Sequence, residues 1–187
     1  DILITPVQAA NMVSIIAKGG IANCVNVAES IMDYRGTVKR SLREVSERRV
    51  VSYETAQKIQ KCMRLAVTDG TAKGAESEIV KIAGKTGTAE KYSQEKRGYD
   101  RKKQVASFVG LAPAMNPRYV CMVLLDEPQT RTAGGVTAGP IFRRIMEGIY
   151  THPDLSPKVY RMQNLQKQVA CNVDLLGKSL EEAEELA

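Results

Sequence analysis

Three strand-type segments in succession, with helix-type segments on either side, constrain the fold of this chain more than any other feature. The segments are residues 79–90, 104–112 and 118–126. The last carries Tyr119-Val120-Cys121-Met122-Val123-Leu124-Leu125, an almost unbroken apolar run, which predicts a strand covered on both faces. Asn116-Pro117 makes a hairpin-like turn between the second and third. Residues 91–103 are polar and basic and read as a solvated loop between the first and second, the alternative being attraction to anionic headgroups near a membrane. Such an order predicts an antiparallel sheet backed by helices, an α+β architecture.

The helices announce themselves by their ends. Thr5-Pro6-Val7-Gln8 holds an N-cap hydroxyl, a proline suited to the first helical position and the glutamine of a capping box. Val7, Ala10, Met12, Val13, Ile16 and Ala17 supply its apolar stripe, and Gly19-Gly20 stops it. Ser52 caps a second helix, with Glu54 in its first turn and apolar spacing through Ala56, Ile59, Met63, Ala66 and Val67. Asp69-Gly70 closes it. A third helix is expected over residues 140–150, with Ile141, Phe142, Ile145, Met146 and Ile149 on its apolar face. Residues 21–51 are mixed, with short strands expected at 24–27 and 38–42.

Within the first strand segment lies Lys85-Thr86-Gly87-Thr88. Side chains alternate along a strand, so Thr86 and Thr88 share one face and Lys85 takes the other. Gly87 lets a backbone or ligand approach closely. Two hydroxyl donors and an ammonium on one short segment suit the holding of a carboxylate.

Taken with its neighbours, this segment resembles the C-terminal part of the transpeptidase domain of class B penicillin-binding proteins, the septal cell-division type. Four stretches carry the likeness: Ile4-Thr5-Pro6-Val7-Gln8 running to Lys18-Gly19-Gly20, Val67-Thr68-Asp69-Gly70-Thr71-Ala72, Ala83 to Lys91, and Ala106 to Ala114 with Asn116-Pro117-Arg118 after it. Gly134-Gly135 and Gly139-Pro140 continue the order. The resemblance runs over roughly residues 1–150. It implies a partial penicillin-binding protein or serine β-lactamase-like fold and a peptidoglycan D,D-transpeptidase that works through an acyl-serine. It also implies binding of stem peptides and β-lactams. Lys85, Thr86, Gly87 and Thr88 become the substrate-binding strand, and the backbone N–H of Thr88 one of two oxyanion donors. A place at the periplasmic face of the bacterial inner membrane, an N-terminal anchor and division-complex partners are further implications.

The family's motif set is S-x-x-K, S-x-N and K-T-G. No Ser-x-Asn or Ser-x-Asp occurs in the 187 residues. The one Ser-x-x-Lys, Ser93-Gln94-Glu95-Lys96, follows K-T-G within the polar stretch, where the family's nucleophile precedes it. The expectation is therefore a piece of a longer enzyme, inactive alone because the nucleophile is absent. A non-catalytic divisome or cell-wall interaction module is the alternative. A basic nucleic-acid or membrane-surface protein is a third reading, and nucleic acid is not expected as a partner. A net charge of +6 with both signs abundant does not argue for it, and two Phe, seven Tyr and no Trp leave few stacking platforms.

No cofactor or metal is expected. The four cysteines (24, 62, 121 and 171) are widely spaced and form no C-x-x-C. Cys62 and Cys121 are expected to be buried thiols because their segments are apolar. His152, the single histidine, sits in a linker-like stretch, as a triad base would not. Asp69, Asp126 and Glu127 read as caps and turns. Residues 151–172 are expected to be a linker or an extra helix. Residues 173–187 are expected to be an amphipathic tail helix, although Val173 to Ala183 resembles the opening of a PASTA repeat.

Overall fold

A computed structural model describes residues 3–42, 46–95, 97–129 and 133–157. Contacts divide the chain into two compact units, Asp1–Met146 and Glu147–Ala187. In chain order the elements are α1 (Pro6–Ala17), β1 (Ile21–Asn23), β2 (Ser30–Met32), β3 (Val38–Ser41), β4 (Glu47–Arg49), α2 (Tyr53–Thr68), a 3-10 turn (Lys73–Ala75), β5 (Ala83–Ser93), β6 (Gly98–Ala112), β7 (Tyr119–Asp126) and α3 (Gly134–Thr151). The expected α+β architecture is present. β5, β6 and β7 form an antiparallel sheet in that order, so β5 is an end strand. The other two sheets are two-stranded: β1 with β4 and β2 with β3.

The helix ends follow the capping residues. Thr5 Oγ1 accepts from Gln8 N at 3.2 Å, and Gln8 Oε1 accepts from Thr5 N at 2.8 Å, a complete capping box. Gly20 ends α1 at φ +94°, where an L side chain is strained. Ser52 Oγ accepts from Thr55 N at 3.1 Å at the start of α2. Arg64 on α2 forks onto Glu76 with two bonds of 2.6 Å and also donates to Ile82 O, fixing α2 against the approach to β5.

One face of the sheet packs on α1 and α2. Val13, Met63, Ala83, Leu111 and Ala114 form this core, with Ile16, Val109 and Val120 against it. The opposite face packs on α3 through Phe108 and Phe142, whose rings meet edge-on at 4.8 Å. Gly84 and Gly110 oppose each other across β5 and β6. A Cβ at Gly84 would overlap the Phe108 ring, so this pair makes the recess that the ring fills.

Several expectations change. The first sheet strand begins at Ala83, not at residue 79, because Ser77 Oγ accepts from Ile79 N and Val80 N and curls the approach. The polar stretch 91–103 is no loop: β5 runs on to Ser93 and β6 starts at Gly98, a hairpin closed around its polar tip. β7 is a sheet edge and is only partly covered, with Leu124 45% exposed. No strand forms at 24–27; β1 precedes it and β2 follows it. The β2–β3 turn is made by Asp33, whose Oδ1 accepts from Arg35 N and Thr37 N; these bonds, Thr37 first, hold its carboxyl below the usual range. Helix α3 starts at Gly134 and carries Pro140 inside it. Its buried stripe is Ala138, Phe142 and Met146, while Ile141 and Ile145 lie on the exposed flank.

Cys62 is exposed, because the buried stripe of α2 runs through Ala56, Gln60, Met63 and Val67. Cys121 is half-buried, and burial pushes its thiol up. In the second unit, the described residues are the end of α3 and turns to Pro157. There His152 Nδ1 accepts from Asp154 N at 3.2 Å. Cys171, Lys96 and residues 173–187 lie outside the described residues, as does most of the expected 151–172 segment.

Phe142→Ala is expected to cost about 3–5 kcal/mol, as large cavities in aromatic cores do; urea unfolding measures it. Lys91 Nζ meets Glu127 at 2.8 Å and Asp126 at 3.0 Å, and these bonds, Glu127 first, raise its pKa above the ordinary lysine value. A raised lysine pKa stabilises fully below the unfolded value of about 10.4, and the gain is lost as pH rises through the folded value. Thermal melts of wild type and Lys91→Met should therefore differ below about pH 10 and converge above it.

Candidate functional site

β5 carries the candidate site at the point where it leaves the core. Ala83 and Gly84 are fully or nearly buried, Lys85 is exposed, Thr86 and Gly87 are half-buried, and Thr88 is exposed. Register pairs Lys85 with Val109 and Thr86 with Phe108, which confirms the alternation expected from sequence. Lys85 leaves the strand on the α2 face. Thr86 and Thr88 leave it on the α3 face.

The lysine does not stay on its own face. Its Nζ donates to Thr86 O at 2.8 Å and reaches Thr86 Oγ1 at 3.4 Å. The side chain thus curls around the open edge of β5. The Thr86 carbonyl is turned to that edge, and by the period of two the backbone polar groups of Thr88 are turned there as well. Thr86 Oγ1 is also 3.0 Å from Thr71 Oγ1, so an ammonium and two hydroxyls form one short chain.

The start of α3 completes the arrangement. Gly134 N donates to Thr88 Oγ1 at 3.4 Å. The N-terminal end of a helix carries partial positive charge, which favours an anion beside Thr88. This closeness requires glycine. A Cβ at Gly134 would overlap the backbone carbonyls of Gly87 and Ser107, and one at Gly135 would overlap Thr71 O. Gly87 is less constrained, since a Cβ there would meet only the Ser107 side chain, whose hydroxyl can turn away.

On the other side of Lys85 lies a groove of about 420 Å³ between α2 and β5, lined by Thr55, Lys58, Ile59, Cys62, Met63 and Ala66. Its walls are largely apolar. This explains why Ile59 and Cys62, apolar by pattern, are uncovered here.

The four residues singled out by sequence lie together, as contiguous residues must. The structure adds Thr71 and the Gly134-Gly135 helix start. Both lay in stretches that carried the family resemblance, but their spacing along the chain gives no hint that they meet β5. Ser93 ends β5, paired with Gly98. It stands five residues beyond Thr88, about 17 Å along a strand, too far to act on anything held at Thr86. Among the described residues no cluster of His, Cys, Asp and Glu is arranged to hold a metal ion.

Residues 2–147 match the penicillin-binding protein transpeptidase domain. The chain belongs to that family. Its likeness is to class B transpeptidases. Stage V sporulation protein D of Bacillus subtilis is 33% identical over 172 residues, which cover 90% of this chain and 26% of that protein. The probable peptidoglycan D,D-transpeptidase PenA of Neisseria gonorrhoeae is 37% identical over 113 residues, covering 59% and 19%. Penicillin-binding protein 3 of Mycobacterium tuberculosis superposes with a TM-score of 0.70 at 29% identity, over 79% of this chain and 35% of that one. The same protein has been solved in complex with ampicillin. The chain therefore spans about a fifth to a third of the length of these relatives. Among its described residues no helix is long and apolar enough to cross a membrane.

Gly135→Ala is expected to push the start of α3 off Thr71 and to destabilise by about 1–3 kcal/mol. Gly148→Ala, where nothing lies within 4 Å, should stabilise by up to about 1 kcal/mol through helix propensity. Chemical unfolding of the two variants measures the contrast.

Proposed function

We propose that this unit is the carboxylate-holding wall of a peptidoglycan D,D-transpeptidase. The observation that carries the reading is the Lys85–Thr86–Thr71 chain on the open edge of β5, with Thr88 next along it beside the start of α3. A stem peptide ending in D-Ala-D-Ala presents a carboxylate there. Lys85 supplies charge, and Thr86 and Thr88 supply hydroxyl donors.

The chemistry needs a serine that this sequence does not offer in the right place. In the complete protein a serine hydroxyl attacks the carbonyl between the two D-Ala residues. An ester forms, the amide C–N bond breaks and the terminal D-Ala leaves with the proton. The amine of a neighbouring stem peptide then attacks the ester, forms the cross-link and frees the serine. Splitting one difficult acyl transfer into two easier ones is the gain of the covalent route. The Thr88 N–H, turned to the edge of β5, stabilises the oxyanion in both steps; one such donor is worth about 3 kcal/mol. A β-lactam carries both a carboxylate and an acylating carbonyl, so the same wall receives it. The setting is the periplasmic face of the bacterial inner membrane, reached through an anchor elsewhere in the complete protein, with division-complex proteins as partners. The alternative role is a non-catalytic divisome or cell-wall interaction module.

The test uses a fluorescent penicillin with intact-mass readout. This 187-residue chain is expected to take no covalent adduct, and the complete protein is expected to take one. Lys85→Ala in the complete protein should slow acylation about 10- to 100-fold, the worth of a hydrogen bond to a charged group. Unchanged acylation would sink the carboxylate-wall assignment. An adduct at Ser93 of this chain would overturn the claim that the nucleophile lies elsewhere. No acylation of the complete protein under any condition would favour the non-catalytic module.

A further inference from the structure

The hairpin beyond Glu90 is built in more detail than a strand connection requires. Glu90 pairs with Gln104 but Lys91 pairs with Asp100, so Arg101, Lys102 and Lys103 have no register partner across the strand. They form a bulge of three consecutive exposed cations. Asp100, buried, accepts from Lys102 N at 3.0 Å and shapes the bulge. Bulges of this kind re-aim side chains and are common beside active sites. Lys91 ties the base of the hairpin to Asp126 and Glu127 at the end of β7.

Past the bulge, Tyr92 faces Tyr99 across the hairpin. Their rings meet edge-on at 5.8 Å, and they remain 60% and 52% exposed. Strand alternation puts Tyr92 on the same face of β5 as Thr86, Thr88 and Glu90. It stands four residues beyond Thr88, about 13 Å, the reach of a short extended peptide. Glu90 lies between them, and Arg101 Nε approaches it at 3.8 Å.

We propose that the Tyr92–Tyr99 pair and the Arg101–Lys103 bulge form a docking surface for the peptidoglycan polymer itself. The tyrosine rings offer a flat apolar face with hydroxyl rims to sugar rings. The cations offer charge to stem-peptide carboxylates. The proposal rests on the peptidoglycan reading of the Lys85–Thr88 wall and extends it: a stem peptide held at Thr88 by its terminal carboxylate has its sugar-linked end within reach of the tyrosines. An anionic lipid surface is the competing occupant. Residues 91–103 contain no Leu, Ile, Val, Phe, Met or Trp to enter the boundary between headgroups and acyl chains, which favours the hydrated polymer.

Co-sedimentation of this chain with purified insoluble peptidoglycan, and in parallel with vesicles rich in anionic lipid, tests the proposal. Wild type should pellet with peptidoglycan and stay in solution with vesicles. Tyr92→Ser/Tyr99→Ser and Arg101→Gln/Lys102→Gln/Lys103→Gln should each bind peptidoglycan about tenfold more weakly, the loss of one good contact. Tyr92→Phe/Tyr99→Phe keeps the rings and should keep the binding, which separates stacking from loss of folding. Lys39→Gln, which removes a cation from the separate β2–β3 sheet, should pellet like wild type, and penicillin acylation of the complete protein reads the carboxylate wall independently of this surface. Absence of wild-type binding, unchanged binding by both loss variants, or capture by vesicles alone would overturn the proposal.

Discussion

β5 has to be core at one end and carry the candidate site at the other within eleven residues, and the rest of the structure is arranged around that demand. At Ala83 and Gly84 the strand is walled in on both faces. The Gly84–Gly110 pair gives room to the Phe108 ring, which Phe142 closes from α3. From Lys85 onward the open edge of the strand is presented to solvent. An end strand normally exposes backbone groups that invite pairing with another chain. Here Lys85 curls over that edge and takes the Thr86 carbonyl. The same edge carries the polar groups that the proposed chemistry uses.

The placement of α3 is the second consequence. Its first turn approaches β5 and Thr71 so closely that only glycine fits at 134 and 135. In a chain without tertiary contacts, Gly-Gly followed by Gly-Pro marks a place where helices do not start. Packing outweighs that local preference of roughly 1 kcal/mol per glycine, because running the helix back to Gly134 adds Ala138 to the buried stripe of Phe142 and Met146.

The helix caps at Thr5 and Ser52 were legible because capping is local: donor and acceptor lie three residues apart in sequence. The Thr86–Thr88 face was legible for the same reason, since alternation needs nothing but a strand. The hairpin over 91–103 was not, because polar residues that read as loop also suit a two-stranded ribbon wetted on both sides. The ribbon is held by pairing across it and by Lys91, thirty-five residues from Asp126. Cys62 was misplaced because apolar periodicity gives a stripe broader than the one that is covered. Its buried centre, shifted to Gln60 and Met63, is set by where β5 and the loop after β6 lie. There Gln60 Nε2 donates to Ala114 O at 2.7 Å.

The sequence by itself determined the starts of α1 and α2, the succession of three strands along the chain and the Lys85-Thr86-Gly87-Thr88 segment with its alternating faces. Each of these depends on contacts within a few residues, so the information is carried locally. Only the tertiary structure decided that Thr71 meets Thr86 and that the start of α3 lies against Thr88. Those are encounters between residues 15 and 46 positions apart, fixed by the packing of helices on both faces of one small sheet.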